Sequence, residues 1–267
     1  MLDWIRRIAG PQPRVEIVEV VEPEVVSAEV THAKVEQLAA RLALPKPAFD
    51  PVPSGPAPRV IAVVSQKGGS GKTTIAAHLA VRAAALGEGP VLLADSDPQG
   101  SLTQWWRARN DDNFAMASLR LDDLQGNLLE LRRHGAALAI IDTPPALTAS
   151  IEQIIAIADL VIVPARPSPH DLRAVGATVA MARAARKPFL FVVNGAAPRA
   201  SITAEAVAAL SAHGRVAPVI LYQRTEFAAS MVDGRTVMEA TPNGRSAHEI
   251  SELWKHISAQ MTMREAA

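Results

Sequence analysis

The chain has 267 residues, of which 49% are hydrophobic and only 4% aromatic, and its 27 basic side chains are balanced by 27 acidic ones. Because the net charge is zero, any nucleic-acid binding must come from a local basic patch and not from a bulk positive field. The absence of cysteine excludes a disulfide framework, thiolate metal sites and cysteine-held iron–sulfur clusters, and it is typical of a reducing cytoplasm.

The N-terminal part, residues 1–58, contains nine of the chain's twenty prolines. We expect a proline-rich and mostly disordered extension with one possible helix, Thr31 to Leu44, whose apolar residues share one face. The first residues, Met1 to Ile8, are too few and too charged for a signal peptide. They leave two interpretations open, a frayed terminus or a short helix that binds a membrane surface or a partner groove.

From Arg59 onward, apolar segments alternate with helical ones, a pattern typical of a parallel sheet with helices on both faces. The predicted strands lie near residues 60–65, 91–95, 114–119, 138–142, 159–164, 189–194 and 216–220. The predicted helices lie near residues 73–86, 101–109, 122–134, 149–157, 171–186, 202–212, 226–232 and 246–262. Residues 59–267 are therefore predicted to form one doubly wound, mostly parallel α/β domain that binds its ligand at the carboxyl ends of the strands.

The most informative segment is QKGGSGKTT, residues 66–74, directly after the first apolar strand. It fits the phosphate-loop pattern G-x-x-x-x-G-K-[ST], in which glycines let backbone N–H groups surround phosphates and Lys72 reaches the terminal ones. Thr73 can offer its hydroxyl to Mg²⁺, and the following helix points its positive end at the anion. The predicted phosphate-binding residues are Gly68, Gly69, Ser70, Gly71, Lys72, Thr73 and Thr74.

A second lysine, Lys67, begins this loop, and an ordinary phosphate loop does not need it. With Lys67 the segment resembles the deviant Walker A loop of the ParA/MinD ATPases. Three downstream segments resemble that family's landmarks in the same order: ADSDPQG at 94–100, LAIIDTPP at 138–145, and LVIVP at 160–164 with PSPHDL at 167–172. The proline-rich turn is most similar to small ParF-type partition ATPases. The resemblance covers Arg59 to about Met261 and implies a P-loop NTPase of the SIMIBI type that binds ATP and Mg²⁺.

The resemblance implies that Asp97 orients or deprotonates the attacking water and lies near the metal. It also implies that Asp142 holds Mg²⁺, directly or through water, together with Thr73. Both carboxylates have structural alternatives, since Asp97 could cap the helix that begins at Ser101 and Asp142 could cap the turn that follows it.

Lys67 has no obvious role within its own chain. In the family, the corresponding lysine crosses an ATP-bound homodimer to the partner's phosphates, where it acts like an arginine finger. Lys67, Lys72 and Asp97 are thus the predicted catalytic residues. Lys67 also predicts that dimerisation depends on ATP.

Further binding residues are implied by the same resemblance. Asn194 matches the family's base-contacting asparagine, and Pro167 resembles a proline that lies beside adenine. One of the adjacent Trp105 and Trp106 is expected in the core, while the other could meet a partner. The C-terminal part resembles a region that binds DNA without sequence preference, although scattered arginines are also typical of a solvated surface. The DNA-binding candidates are Arg199, Arg224, Arg235 and Arg245.

The leading functional interpretation is a ParA-type ATPase that positions a plasmid, a chromosome region or a protein cluster. It would bind DNA as an ATP-dependent homodimer, and a ParB-like or cargo adaptor protein would stimulate its slow hydrolysis, in the cytoplasm and on the nucleoid. The alternative is a MinD-like membrane-surface ATPase that regulates division or polar assembly. The C-terminal segment lacks a basic amphipathic tail, so membrane binding is not expected.

Overall fold

Seven parallel strands form one sheet in the computed structural model, which describes residues 57–109, 114–118, 126, 132, 135–145 and 149–265. The strands are β1 (Arg59–Val63), β2 (Val91–Asp95), β3 (Ala115–Ser118), β4 (Leu138–Asp142), β5 (Leu160–Ala165), β6 (Phe189–Ala196) and β7 (Leu221–Tyr222). Their spatial order is β3-β2-β4-β1-β5-β6-β7. Because β1 lies between β4 and β5, the chain turns in opposite directions on the two sides of β1, and a crevice opens at the carboxyl end of this strand.

Helices cover both faces of the sheet. Those within the described residues are α1 (Lys72–Ala85), α2 (Ser101–Arg107), α3 (Ala149–Ile157), α4 (Pro169–Ala184), α5 (Ser201–Ser211), α6 (Thr225–Met231), α7 (Val237–Ala240) and α8 (Arg245–Glu265). Alternate residues of β1 face opposite layers: Ile61 packs in the core beneath α1 and α8, whereas Ala62 packs in the core beneath α3 and α4. The predicted doubly wound, parallel α/β fold is confirmed.

Two predicted elements lie almost entirely outside the residues that the structure describes. The predicted extension, residues 1–58, lies outside the described residues except for its last two. The helix predicted near 122–134 is described only at Gly126 and Arg132. Both assignments therefore stay predictions.

The prediction of the last strand near 216–220 is wrong. Val216 makes only an isolated parallel bridge to Phe191, and the strand is the two-residue β7 at Leu221–Tyr222. Pro218 stands in the predicted segment, and proline cannot donate a backbone hydrogen bond to a neighbouring strand. The apolar composition of the segment indicated a strand, but its proline interrupts the ladder.

The short helix α7 was not predicted. Thr236 and Glu239 form a capping box at its start: the Thr236 side chain accepts a hydrogen bond from the N3 backbone, and the Glu239 carboxylate accepts one from the Thr236 backbone at 2.8 Å. The sequence signal, Thr-x-x-Glu, was present but extends over only one helical turn.

A buried histidine joins α1 to the start of α7. His78 is fully buried, and its Nδ1 contacts the Thr74 carbonyl oxygen at 2.7 Å while its Nε2 accepts the Val237 N–H at 3.2 Å. This pair of contacts requires the neutral tautomer with the proton on Nδ1. Burial lowers the pKa of His78 to about 4, because the charged form would lose its hydration.

We predict that His78 makes folding sensitive to mild acid. The imidazole takes up a proton below pH 6.5 in the unfolded chain but only near pH 4 in the folded one, so lowering the pH through this window favours unfolding. The wild type should lose up to about 3 kcal/mol more unfolding free energy than His78→Gln between these limits. Urea unfolding at several pH values measures the difference.

His213→Gln is the matched control, since His213 is exposed. The unfolding free energy of His213→Gln should change with pH as that of the wild type does. If the His78→Gln profile is also parallel to the wild-type profile, the buried imidazole does not cause the acid sensitivity.

Candidate functional site

The loop between β1 and α1 is held at the switch point of the sheet. Its Val64 N–H donates to the Ile162 carbonyl at 2.9 Å, which fixes the point where the chain leaves β1 beside β5. Gly69 and Gly71 have φ angles of +73° and +94°, a region that side-chain-bearing residues rarely adopt. The loop then runs into α1, whose first-turn N–H groups are available to an anion.

Gly71 is required for a second reason, the close approach of Asn194. A Cβ at Gly71 would lie 2.1 Å from Asn194 Nδ2, and the same amide donates to the Ser70 carbonyl oxygen at 2.7 Å. Asn194, at the end of β6, therefore holds the phosphate loop. Sequence reasoning placed this asparagine only beside adenine, and that base contact stays a prediction.

The loop departs from the general phosphate-loop pattern at one position. Counting back from Gly71, Gln66 stands where G-x-x-x-x-G-K has its first glycine, so the prediction that the segment fits the whole pattern is wrong. The remaining part, Gly71-Lys72-Thr73, is complete.

Lys72, Thr73 and Asp142 come together as predicted. Thr73 Oγ1 donates to Asp142 Oδ2 at 2.6 Å, and the Asp142 carboxyl is buried at the end of β4. Burial lowers the pKa of Lys72, although the nearby Asp142 and Asp97 oppose this effect. The structural alternative for Asp142 is wrong, because its carboxylate accepts from Thr73 and does not cap its own turn.

Asp142 has the chemistry of a metal ligand, since it is a buried carboxyl group at the end of β4. Its Oδ1 is buried and has no hydrogen-bond partner among the described residues. Burial raises its pKa to about 7, against the opposing effects of the Thr73 hydroxyl and the Lys72 ammonium. A hard divalent cation beside this oxygen and the Thr73 hydroxyl would favour the ionised carboxylate, so these residues fit Mg²⁺.

The described residues contain no cluster of three or more His, Cys, Asp or Glu side chains that could hold a metal.

Asp95 and Asp97 have different roles in the loop after β2. The buried Asp95 carboxylate accepts the Asp97 N–H at 3.0 Å and both the N–H and hydroxyl of Thr103, at 2.9 and 2.7 Å. Asp95 therefore fixes the path of the loop and the first turn of α2. The Asp97 carboxylate accepts the Gln99 N–H at 2.9 Å and does not cap the helix at Ser101, so that alternative is wrong.

Lys67 does have a partner within its own chain, which corrects the sequence interpretation. Its Nζ lies 2.9 Å from Asp171 Oδ2, and the same oxygen accepts the Ser168 hydroxyl at 2.5 Å. Burial alone would raise the pKa of Asp171, but Ser168 and Lys67 outweigh it and the pKa is lowered. The sequence did not identify Asp171 as the partner of Lys67, because the two residues are 104 positions apart in the chain.

The loop after β5 places a further cation beside the phosphate loop. Pro167 is half-buried there, and its predicted contact with adenine stays a prediction. Arg166, which sequence reasoning did not select, lies with its Nη2 3.9 Å from the Cβ position of Gly69 and its Nε 3.6 Å from that of Gly195. A single arginine in a proline-rich turn carries no sequence pattern that would have identified it.

The four predicted DNA-binding arginines lie in different environments. Arg224 donates to Glu249 at 2.6 Å and is mostly buried, so its charge is balanced inside the domain. Arg235 pairs with Asp233 at 2.7 Å but remains half exposed. Arg199 and Arg245 are exposed. Three of the four are therefore accessible to an external phosphate group.

Comparison with protein families connects this site to known nucleotide-binding proteins. The model of the CobQ/CobB/MinD/ParA nucleotide binding domain matches residues 61–237. This range includes the phosphate loop, the two aspartate segments and Asn194. It ends at the start of α7.

Two curated relatives carry the description "Maintenance of carboxysome distribution protein A". The relative from Halothiobacillus neapolitanus is 32% identical over 211 residues, which are 74% of this chain and 95% of the relative. The relative from Gloeobacter kilaueensis is 42% identical over 130 residues, which are 48% of this chain and 58% of the relative.

Among solved structures, Cyanthece apo McdA superposes with a TM-score of 0.62 at 18% identity. The superposition covers 74% of this chain and 98% of that one. At this identity the likeness shows the fold alone. In the described part of the chain, none of the helices has the length and apolar character needed to span a bilayer.

We predict that Gly71→Ala destabilises the folded chain by about 2 kcal/mol or more, because it combines a positive φ with a collision against Asn194. Gly68→Ala is the matched control in the same loop, since a Cβ there meets no atom within 4 Å. Urea unfolding of both variants without nucleotide measures the effect. Equal stability of the two variants would contradict the steric role of Gly71.

Proposed function

This chain belongs to the CobQ/CobB/MinD/ParA family, whose ParA and MinD members are ATPases, and we propose that it is a ParA-type ATPase that positions a cargo. ATP is the substrate, and an ATP-bound homodimer is the active form. The observation that carries the proposal is the pairing of a complete Gly-Lys-Thr phosphate loop with a second lysine, Lys67, at the loop's outer edge.

The residues of the site have separate tasks in ATP hydrolysis. Lys72 and the loop amides bind the terminal phosphates, while Thr73 and Asp142 hold Mg²⁺. When bound, Mg²⁺ supplies positive charge that offsets the charge developing on the phosphate oxygens. Asp97, a half-buried carboxylate in the loop after β2, orients a water molecule or accepts its proton.

Lys67 supplies a positive charge that acts only in the homodimer. Its side chain is 41% exposed and its ammonium group is held by Asp171 beside the phosphate loop. In the homodimer, Lys67 leaves Asp171 and places its charge against the partner's phosphates. Hydrolysis is therefore slow in the monomer and depends on dimerisation.

The dimer binds duplex DNA through exposed arginines, without reading sequence, and an adaptor protein on the cargo stimulates hydrolysis. Arg199, Arg235 and Arg245 are the accessible candidates. Each arginine appears twice in a symmetric dimer, so modest patches on one chain combine into a larger one. Two relatives are named for maintaining carboxysome distribution, which supports a protein assembly among the cargo types.

We predict that dimerisation requires Lys67. Asp97→Ala should hold ATP without hydrolysing it and accumulate as a dimer, whereas Asp97→Ala with Lys67→Ala should bind ATP and remain monomeric. In an otherwise wild-type chain, Lys67→Ala should lower turnover by on the order of 10³-fold. Light scattering with ATP and a phosphate-release assay measure these outcomes.

The control variant combines Asp97→Ala with Lys255→Ala, which removes a highly exposed lysine elsewhere in the chain. This variant should still dimerise. Equal dimer content with and without Lys67 would contradict the proposed role of this lysine at the partner's phosphates.

We predict that the ATP-bound protein binds duplexes of unrelated sequence alike, and that affinity falls steeply with salt because counterions are released. Arg235→Glu combined with Arg245→Glu should weaken binding by more than about tenfold at 0.1 M salt without changing nucleotide affinity. Fluorescence anisotropy with labelled duplexes measures both effects.

Arg186→Glu is the control, since Arg186 is exposed and lies just before β6, at the amino end of that strand. It should bind DNA nearly as the wild type does. Binding that ignores salt, or that falls equally in the control, would contradict a surface formed by Arg235 and Arg245.

A further inference from the structure

Helix α2 is tied at its start to the loop that carries Asp97. Asp95 Oδ2 accepts two hydrogen bonds from Thr103, and Asp95 Oδ1 accepts the Asp97 N–H. A shift of the Asp97 loop therefore pulls directly on the first turn of α2. The helix is seven residues long, so it transmits such a shift as a short rigid unit.

The other end of α2 is clamped to a distant segment, residues 232–240, which we term the C-terminal clamp segment. Trp105 Nε1 donates to the Arg235 carbonyl at 3.1 Å, and Arg109 Nη1 donates to the Gly234 carbonyl at 2.9 Å. Arg109 also forms an ion pair with Glu239 and is almost fully buried. These bonds join residues 125 to 130 positions apart in the chain.

The end of α2 and the C-terminal clamp segment approach each other so closely that position 234 requires glycine. A Cβ at Gly234 would lie 2.4 Å from the backbone nitrogen of Arg109, and Gly234 has a φ of +78°. The backbones of the two segments are therefore in direct contact. A movement of the end of α2 cannot be absorbed by side chains alone at this point.

The phosphate-loop helix holds the same segment from a second side. His78, in the second turn of α1, accepts the N–H of Val237 at the start of α7. The two helices that begin at the nucleotide site, α1 and α2, thus both bond to the inner side of the C-terminal clamp segment.

The outer side of the segment faces solvent. Val232 is 81% exposed, the highest value among the exposed large hydrophobic residues of the described chain. Arg235 and Asp233 are each about half exposed and pair with one another. On its inner side, the C-terminal clamp segment therefore contacts the two helices that begin at the nucleotide site. On its outer side, it presents the Arg235 cation to solvent.

We propose that the C-terminal clamp segment couples the nucleotide state at Asp97 to the macromolecule-binding surface at Arg235, with Trp105 and Arg109 as the positioning residues. This inference rests on the proposed function, in which the macromolecule is duplex DNA. Coupling of this kind is reciprocal, so DNA bound at Arg235 also changes the affinity for ATP by the same factor.

The first test uses hydrogen exchange on the wild-type chain. Amides of residues 233–240 should exchange at different rates with AMPPNP than with ADP, because α2 and α1 move against the segment. Exchange rates that are identical in the two states would overturn the coupling, whatever the result of DNA binding. This readout requires no DNA and no variant.

The second test removes one hydrogen bond and keeps an aromatic side chain at the same position. Trp105→Phe deletes the donor to Arg235, whereas Trp106→Phe is the matched control, since Trp106 packs on Phe114 at 4.8 Å and has no hydrogen bond from its indole to the clamp segment in the described structure. In Trp105→Phe, the ratio of DNA affinity with AMPPNP to that with ADP should fall by about fivefold or more.

Trp106→Phe should keep the wild-type ratio. Equal ratios in the two variants would overturn the role of Trp105. If the exchange rates respond to AMPPNP but no duplex binds in either state, the DNA function fails while the coupling stands. The two failures are thus distinguishable.

Discussion

The hydrogen bond from Thr73 to Asp142 is the contact on which the site depends. It exists because β1 and β4 are neighbours in register, with Val63 beside Asp142, so that the phosphate loop and the end of β4 meet. The same arrangement buries the Asp142 carboxylate near Lys72 and leaves Asp142 Oδ1 without a hydrogen-bond partner among the described residues. Because uncompensated buried charge is costly, the proposed binding of phosphates and a divalent cation would stabilise this edge of the sheet.

The ion pair between Lys67 and Asp171 sets a condition on any dimer. Asp171 is almost fully buried, so moving Lys67 away removes the ammonium group that offsets its charge, while the Ser168 hydroxyl still donates to the same carboxylate oxygen. Such a loss has to be offset by a stronger anion for the lysine. A partner's triphosphate carries more negative charge than one carboxylate, whereas a partner without nucleotide offers none. The pair therefore provides a physical reason for dimerisation to depend on ATP.

The sequence predicted the fold and the phosphate site because both depend on local patterns. Apolar runs such as Leu138 to Ile141 require cover on both faces, and Gly71-Lys72-Thr73 has few other uses. It did not predict Asp171 beside Lys67, or the bonds from Arg109 to Gly234, because these pairs are distant in the chain and each residue is ordinary in its own segment. Asn194 was selected for a base contact, yet its bond to the Ser70 carbonyl depends on how closely β6 approaches the loop.

The C-terminal helix bears on whether this ATPase acts on a charged surface or on a membrane. Five large apolar residues of this helix recur at helical spacing and are buried in the core: Ile250, Leu253, Trp254, Ile257 and Met261. Trp254 also donates to Glu88 at 2.9 Å, which fixes the helix against the end of α1. An amphipathic helix binds a bilayer by burying its apolar face there, and in α8 that face is already used. At the start of this helix the exposed Arg245 presents a cation to solvent, which is compatible with the proposed partner recognised through its phosphate charge.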